Sequence, residues 1–224
     1  MHSPRSIRIL LVDDHVVVRA GYRRFLEQEP DCQVIAEASS GEEAYATLQM
    51  LSPDLVILDL SMPGQGGLSV LRRIKLRWPL LPVLVFSMHD SPAFVTQALR
   101  SGATGYISKS SEPSFMIQAV RHVVRGVQTF SPDIAASLAT SASDGSATLG
   151  LSAREFDIFR LLASGKSHED IAALLNLSVK TVANNHSQIR QKLDIGSDIE
   201  LYRLATQCGA ADPLLPESER IGTR

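Results

Sequence analysis

Five polar residues follow short apolar runs in this sequence, and their side chains could support metal-assisted phosphoryl transfer. Three are the carboxylates Asp13, Asp14 and Asp59, and the other two are Ser87 and Lys109. A carboxylate can accept a phosphoryl group when a metal ion and a cationic side chain neutralise the transferring oxygens. Asp59 is the candidate phosphoacceptor because it ends the predicted central strand.

Three carboxylates in one place require cations. At an effective dielectric constant of about 20, each pair a few ångströms apart repels by about 4 kcal/mol. Lys109 supplies one cation, and a hard divalent ion on oxygen ligands, Mg²⁺ or Mn²⁺, would supply the other. We expect Asp14, Asp59 and the backbone carbonyl of Ser61 to hold this ion, with Asp13 acting directly or through water. Lys109 and the hydroxyl of Ser87 would then contact phosphoryl oxygens.

Parallel strands are the elements that would bring these residues together. From residue 7 to about residue 125, short Val/Ile/Leu runs alternate with longer amphipathic segments. This alternation is typical of a doubly wound α/β fold, in which helices cover both faces of a parallel sheet. Because the carboxyl ends of parallel strands meet at one edge, the five polar side chains are expected to converge there. We predict five strands, at residues 7–12, 33–37, 55–58, 83–86 and 105–107.

Residues 5–126 resemble a response-regulator receiver domain, which has a flavodoxin-like fold. The resemblance implies that a sensor histidine kinase phosphorylates Asp59, and that Ser87 and Tyr106 then reorient and change the surface formed by the fourth helix and fifth strand. The matching motifs are Asp13-Asp14, LDLSMP at 58–63 with Gly66-Gly67, Ser87, and SGATGYISK at 101–109.

Three positions bear on how far the family pattern carries over. Ser110 stands where receivers usually have a proline after the lysine, which leaves open the isomer of the peptide bond before it. Ser61 and His89, each two residues after a key group, lie where the family tunes the lifetime of the phosphoryl group. The lifetime in this chain therefore does not follow from the resemblance.

A second, helical region follows the receiver. We predict a linker at residues 127–149, with a short helix near 132–139 and a flexible stretch after it, then a helical domain at 150–211 and a disordered tail at 212–224. Four helix starts are indicated by a serine followed three residues later by a capping partner. The pairs are Ser152 and Glu155, Ser167 and Asp170, Ser178 and Thr181, and Ser197 and Glu200.

Residues 151–208 resemble the LuxR-type helix-turn-helix domain of the NarL/FixJ response regulators. The middle two predicted helices form a short helix, a turn near Asn176 and a longer helix, as a major-groove reader requires. No acidic residue occurs between Ile171 and Leu193, so one face is locally positive. The matching motifs are LSARE at 151–155, LLASGK at 161–166, DIAALLNLS at 170–178, KTV at 180–182 and IRQKL at 189–193.

The longer helix presents a polar stripe, because Val182, Ile189 and Leu193 at helical spacing are expected to face the domain core. That stripe includes Lys180, Ala183, Asn184, Ser187 and Gln188. The resemblance implies that Ala183, Asn184 and Ser187 face bases, and that Lys180, Thr181 and Lys192 face the DNA backbone. Asn can pair bidentately with adenine. Ala183 replaces a commonly basic residue, and Asn185 a common histidine, with His186 next to it, so base preference cannot be copied from relatives.

The last predicted helix, 198–208, is a candidate dimer face. Its apolar residues are Ile199, Leu204, Ala205 and Cys208. A homodimer would place two reading helices on the half-sites of a pseudo-palindromic promoter. The alternative is that these residues complete the core of a small domain.

Composition limits the classes of function. The 224 residues are 44% hydrophobic and 21% charged, as in a chain with two modest globular domains, and the net charge of −2 argues against electrostatic coating of nucleic acid. Cys32 and Cys208 give neither a disulfide framework nor a zinc site. No run reaches the roughly 18 apolar residues of a membrane span, and the first residues lack a signal peptide's apolar core. We therefore expect a cytoplasmic protein without a membrane partner.

The sequence favours a phosphorylation-switched transcription regulator of a bacterial two-component system, with no enzymatic activity beyond its own phosphorylation and dephosphorylation at Asp59. One alternative is a phosphorylation-independent DNA-binding regulator whose receiver is a dimerisation scaffold. Against it, the chain keeps both the acidic pair and Lys109. Another is an aspartyl-phosphate phosphohydrolase of the haloacid-dehalogenase type, which needs a carboxylate two residues after the nucleophile. This chain has Ser61 there.

Overall fold

The computed structural model describes residues 6–62, 66–144, 149–208 and 210, which form an α/β domain followed by a helical domain. Strands and helices alternate through the first domain as the sequence predicts. The α/β domain and the helix that follows it contain β1 Ile7–Val12, α1 Val16–Leu26, β2 Cys32–Ala38, α2 Gly41–Met50, β3 Leu55–Leu58, α3 Gly67–Arg77, β4 Val83–Ser87, α4 Pro92–Arg100, β5 Gly105–Ser108, α5 Pro113–Val124, β6 Thr129–Phe130 and α6 Pro132–Asp144. The helical domain contains α7 Ala153–Ala163, α8 His168–Leu175, α9 Val179–Leu193 and α10 Asp198–Gln207.

The sheet is parallel throughout, with strand order β2-β1-β3-β4-β5-β6. Its sixth strand corrects the prediction of five. Thr129 pairs with Gly105, and Phe130 pairs with Tyr106. A strand of two residues is too short to give the alternation or apolar run by which strands are predicted.

Two apolar clusters cover the two faces of the sheet, because neighbouring side chains of a strand point to opposite faces. Ile9 and Leu11 of β1 pack with residues of α1 and α5 on one face. Leu10 and Val12 belong to the other cluster, which includes residues of α2, α3 and α4. This second cluster continues into the helical domain through Phe156, so the two domains share one apolar core.

The segment between the domains is more ordered than predicted. The predicted helix near 132–139 is α6, which extends to Asp144, and Ile134 in its first turn is fully buried. The hydroxyl of Ser137 also donates to the carbonyl of Asp90, near the start of α4. Residues 145–148 and the predicted disordered tail lie outside the described residues.

The helices of the second domain begin at the predicted serines. Ser152, Ser167 and Ser197 each form a complete capping box, and the side chain of Ser178 accepts a hydrogen bond from the amide of Thr181. These bonds satisfy amides that have no partner inside the helix. Asn176 ends α8 in the left-handed conformation, with φ of 52°, and so makes the tight turn into α9.

Candidate functional site

The predicted phosphoacceptor lies in a buried cluster of charges at the carboxyl edge of the sheet. The amide of Asp59 donates to the carbonyl of Val12, which sets the end of β3 beside the end of β1. Asp13 and Asp59 are only 2% and 1% exposed. The ammonium of Lys109 lies 2.7 Å from the Oδ2 atoms of both carboxylates. One cation thus holds two of the three predicted acids.

The same cluster has the composition of a divalent-cation site. Asp13, Asp14, His15 and Asp59 each offer a ligand atom, and these atoms all lie within 4.8 Å of one another. Oδ1 of Asp14 is buried and accepts no hydrogen bond from the residues that the structure describes, although Nδ1 of His15 lies 3.0 Å away at an ion-pair distance. A buried carboxylate oxygen without a donor fits a hard cation with oxygen ligands.

Two residues beside the acidic pair and the phosphoacceptor complete the description of this cluster. His15 was not among the predicted site residues, and the only signal for it is its position directly after the acidic pair. Ser61 is positioned by its amide, which donates to Oδ1 of Asp59 at 2.9 Å. That bond orients the loop after β3, while the role of the Ser61 carbonyl as a cation ligand stays a prediction.

Lys109 stays protonated in this environment. Burial alone would lower the pKa of Lys109, but its hydrogen bonds to Asp13 and Asp59, with their negative charges, raise it above the ordinary value. The backbone also fixes the residue, because its amide donates to the carbonyl of Ser87 at 2.9 Å. The Lys109–Ser110 peptide bond is trans.

Ser87 lies next to the phosphoacceptor and contacts the chain on both sides of it. Its buried hydroxyl oxygen is 3.4 Å from the hydroxyl of Ser61 and accepts a hydrogen bond from the amide of His89 at 3.3 Å. The hydroxyl of Tyr106, which is fully buried, donates to the carbonyl of His89. Ser87 and Tyr106 therefore contact the same backbone segment.

From this segment, a series of ring contacts leads into the helical domain. The imidazole of His89 stacks on Phe94 of α4, with ring centroids 4.2 Å apart. Phe94 meets Phe156 of α7 edge to face at 5.0 Å, and the guanidinium of Arg160 lies 5.6 Å from the Phe94 ring centre. Burial, together with the positive charge of Arg160, lowers the pKa of His89 to about 4, so the ring is neutral at pH 7.

The contact between the domains also buries polar groups that the sequence did not single out. The hydroxyl of Ser69 in α3 donates to Oδ2 of Asp157 in α7 at 2.9 Å. The side-chain amide of Gln97 in α4 donates to the carbonyl of Leu151 at 3.0 Å. Burial raises the pKa of Asp157 from 3.8 to about 6, although Ser69 and the nearby Arg160 and Arg154 act in the opposite direction. The sequence of each helix taken alone contains no pattern that predicts these contacts between the domains.

The predicted DNA-reading stripe is accessible. Val182 and Ile189 of α9 are fully buried on the side that faces the rest of the domain. The remaining stripe is open to solvent, so docking on the receiver leaves the reading helix uncovered within the described residues. Of the predicted DNA contacts, Ala183 is half-buried and the others are exposed, namely Lys180, Thr181, Asn184, Ser187, Gln188 and Lys192. The Lys192 ammonium pairs with Glu155 at 2.7 Å.

The predicted dimer face needs a correction. Ala205 is fully buried within the helical domain and cannot contact a second chain. Leu204 and Cys208 pack partly against the core, while Ile199 is 66% exposed. The spacing of apolar residues along α10 does not distinguish core residues from surface residues. The prediction therefore grouped buried Ala205 with exposed Ile199.

A parallel α/β sheet with this charge cluster, joined to a helix-turn-helix domain, defines a receiver coupled to a DNA-binding module. Comparison with known families agrees. The family described as "Response regulator receiver domain" matches residues 9–121, and "Bacterial regulatory proteins, luxR family" matches residues 149–205. The chain belongs to the NarL/FixJ family of response regulators and is a DNA-binding transcription regulator.

Similar proteins match over nearly their whole length. The transcriptional activator protein ExaE of Pseudomonas putida is 40% identical over 206 residues, which cover 90% of this chain and 96% of ExaE. The transcriptional regulatory protein UhpA of Escherichia coli is 40% identical over 197 residues, 88% of this chain and 96% of UhpA. Among solved structures, RcsB of Salmonella enterica serovar Typhimurium, bound to promoter P1flhDC with the phosphomimetic BeF₃⁻, matches with a TM-score of 0.70 at 28% identity, covering 91% of this chain and 100% of RcsB.

Among the residues that the structure describes, no helix has both the length and the apolar character needed to cross a bilayer.

Proposed function

We propose that a sensor histidine kinase phosphorylates Asp59 and that this modification controls promoter binding by α9. The observation that carries the proposal is the ammonium of Lys109 held 2.7 Å from both Asp13 and Asp59. A cation so placed can move from the carboxylate to a phosphoryl oxygen without crossing solvent. Outside this self-modification we propose no enzymatic activity.

Asp13, Asp14 and Asp59, with the carbonyl of Ser61, would hold Mg²⁺ or Mn²⁺. When bound, that ion would neutralise charge on the transferring phosphoryl oxygens. Lys109 donates to one phosphoryl oxygen, and the hydroxyl of Ser87 donates to another. For this, Ser87 leaves its present contacts with Ser61 and the amide of His89.

The ring contacts suggest how this change reaches the second domain. Movement of Ser87 releases the amide of His89, whose ring stacks on Phe94. A shift of Phe94 changes its contacts with Phe156 and Arg160 of α7. Phosphorylation thereby loosens the docking of α7 on the receiver. Because the reading stripe is already exposed, the loosened domain gains freedom to pair with a second copy.

At the promoter, we propose that Ala183, Asn184 and Ser187 face bases. Lys180, Thr181 and Gln188 lie on the same exposed stripe, and the first two contact the DNA backbone. Lys192 joins them by exchanging Glu155 for a phosphate group. A homodimer formed through α10 around Ile199 presents two reading helices to the half-sites. Because the target is promoter DNA, the proposed location is the cytoplasm.

Footprinting on promoter fragments with and without acetyl phosphate and Mg²⁺ tests this function. We expect phosphodonor to increase specific protection for the wild type and to leave Asp59→Asn unchanged. Equal stimulation of both proteins would instead support a regulator that does not use Asp59. Absence of specific binding by the wild type in either state would contradict the function as a whole.

A further inference from the structure

Four arginines line one cleft where the two domains meet. Three come from α3 of the receiver and the fourth from the first turn of α7. The cleft has a volume of about 440 Å³. We call it the arginine cleft, and its lining consists of Tyr45, Ser69, Arg72, Arg73, Leu76, Arg77, Ala153 and Arg154.

The described lining of the arginine cleft is positively charged. Among the residues that the structure describes, it contains four guanidinium groups and no carboxylate, although the charge of Arg154 also acts on the buried carboxylate of Asp157. Ser69 directs its hydroxyl away to Asp157, which is buried in the interface between the domains. Guanidinium groups bind phosphate through pairs of parallel hydrogen bonds, and several together favour a ligand with more than one phosphate. The cleft volume is within the range of small-molecule sites, about 300–1,000 Å³.

Two of the arginines are held in place by aromatic rings. The guanidinium of Arg73 lies 3.9 Å from the centre of the Tyr45 ring. That of Arg77 lies 5.7 Å from the centre of the Trp78 ring, and the two rings pack edge to face at 5.0 Å. Stacking of this kind reduces the conformational entropy that an arginine loses on binding. The cleft is thus partly preorganised for an anion.

The position of the cleft favours a small anion over DNA. Helix α7 packs against α3 on one side and against α9 on another. The side of α9 that faces the domain core is marked by Val182 and Ile189, and the reading stripe lies on its opposite side. The described lining of the cleft includes residues of α3 and α7 and none of α9, whereas the reading stripe belongs to α9.

We propose that the arginine cleft binds a small polyphosphate anion, nucleotide or inorganic, through arginines of both domains. Arg72 belongs to α3 of the receiver and Arg154 to α7 of the helical domain, and both line the cleft. A ligand bound to both joins these helices and stabilises the docked arrangement. This proposal is independent of phosphoryl transfer to Asp59.

Isothermal titration calorimetry on the full chain tests the site, with inorganic tripolyphosphate and ATP as separate probes. EDTA is present so that no metal ion draws phosphate to the acidic cluster. We expect one saturable site for at least one probe, and at least tenfold weaker binding for Arg72→Ala and for Arg154→Ala. Comparison of the two probes assigns the ligand to inorganic polyphosphate or to nucleotide.

Arg24→Ala is the matched control, because it removes one exposed positive charge from α1, away from the cleft. It is expected to bind like the wild type. Equal weakening in Arg24→Ala would show general charge attraction and overturn the proposal, as would the absence of saturable binding to the wild type. An unaffected Arg154→Ala would overturn the contribution of the helical domain. Loss of promoter affinity in Arg72→Ala without any binding of the small anions would reassign the cleft to DNA and also overturn it.

Discussion

Asp157→Asn tests whether one buried carboxyl group makes domain docking depend on pH. Asp157 is 3% exposed in the interface and accepts a hydrogen bond from Ser69. Burial raises its pKa from 3.8 to about 6, while Ser69, Arg160 and Arg154 act in the opposite direction. If separation of the domains returns the carboxyl group to solvent, ionisation costs the docked state about 3 kcal/mol relative to the separated state.

The direction of the effect follows from proton linkage. Docking raises the pKa of Asp157, so the docked state binds the proton more tightly and docking is favoured at low pH. This contribution is fully present below pH 3.8 and is lost as the pH rises through 6. Between pH 5 and pH 8, the ionisation of Asp157 alone weakens docking by about 1.4 kcal/mol, or about tenfold in the ratio of docked to separated molecules. Asn is neutral throughout and keeps an acceptor for Ser69, so Asp157→Asn removes this dependence and docks more tightly at pH 8.

Fluorescence energy transfer between dyes on the two domains measures the docked fraction. Arg24→Cys in α1 and Gln191→Cys in α9 provide exposed labelling sites in a chain whose native cysteines are replaced by alanine. Asp194→Asn is the matched control, because it neutralises an exposed carboxylate of the helical domain at a left-handed position that Asn also adopts. Parallel pH profiles for the wild type and Asp157→Asn would refute the reasoning.

Three further predictions follow from the interface and the reading helix. Gly66→Ala weakens docking even at pH 5, because Gly66 has φ of +81° and an added Cβ would lie 2.3 Å from the Asp157 carboxylate. If this variant gave the same energy transfer as the wild type, the contact would be contradicted. Phe94→Ala leaves phosphorylation of Asp59 intact but removes the gain in DNA affinity, so a normal gain in gel-shift assays would reject the ring pathway. Lys180→Ala lowers the dependence of DNA affinity on salt concentration by about one unit of log–log slope and does not change sequence preference. Asn184→Ala loses about 1–3 kcal/mol of discrimination at one base pair. Identical effects of the two variants on binding to random DNA would contradict the assigned roles.

Much of the fold could be predicted because the central strands β3, β4 and β5 are buried on both faces. Such strands appear in the sequence as continuous apolar runs, and β1 and β3 end at the predicted residues. Helix starts in the second domain could be predicted because capping by Ser152 and its equivalents is a local interaction. The strand β6 could not be predicted, because two residues are too few to show the alternation of a strand.

The site could be predicted for a different reason. Asp13, Asp59 and Lys109 are far apart in sequence, but the topology of a parallel sheet brings the carboxyl ends of its strands together. No comparable rule predicts from the sequence how the two domains dock. Asp157 and Arg160 occupy positions on α7 that, in the sequence alone, are equally consistent with solvent exposure. The carboxylate of Asp157 is buried where α7 meets Ser69 of α3 and Gly66 before it.

The central claim is that a phosphoryl group on Asp59 controls DNA binding, and intact mass paired with a gel shift on the same samples tests it most directly. Wild type and Asp59→Asn are incubated with acetyl phosphate and Mg²⁺, and each is divided between the two measurements. The account predicts that the wild type alone gains one phosphoryl group and that its promoter affinity rises with the phosphorylated fraction. A phosphoryl group on Asp59→Asn, or full phosphorylation of the wild type without any change in promoter affinity, would contradict it.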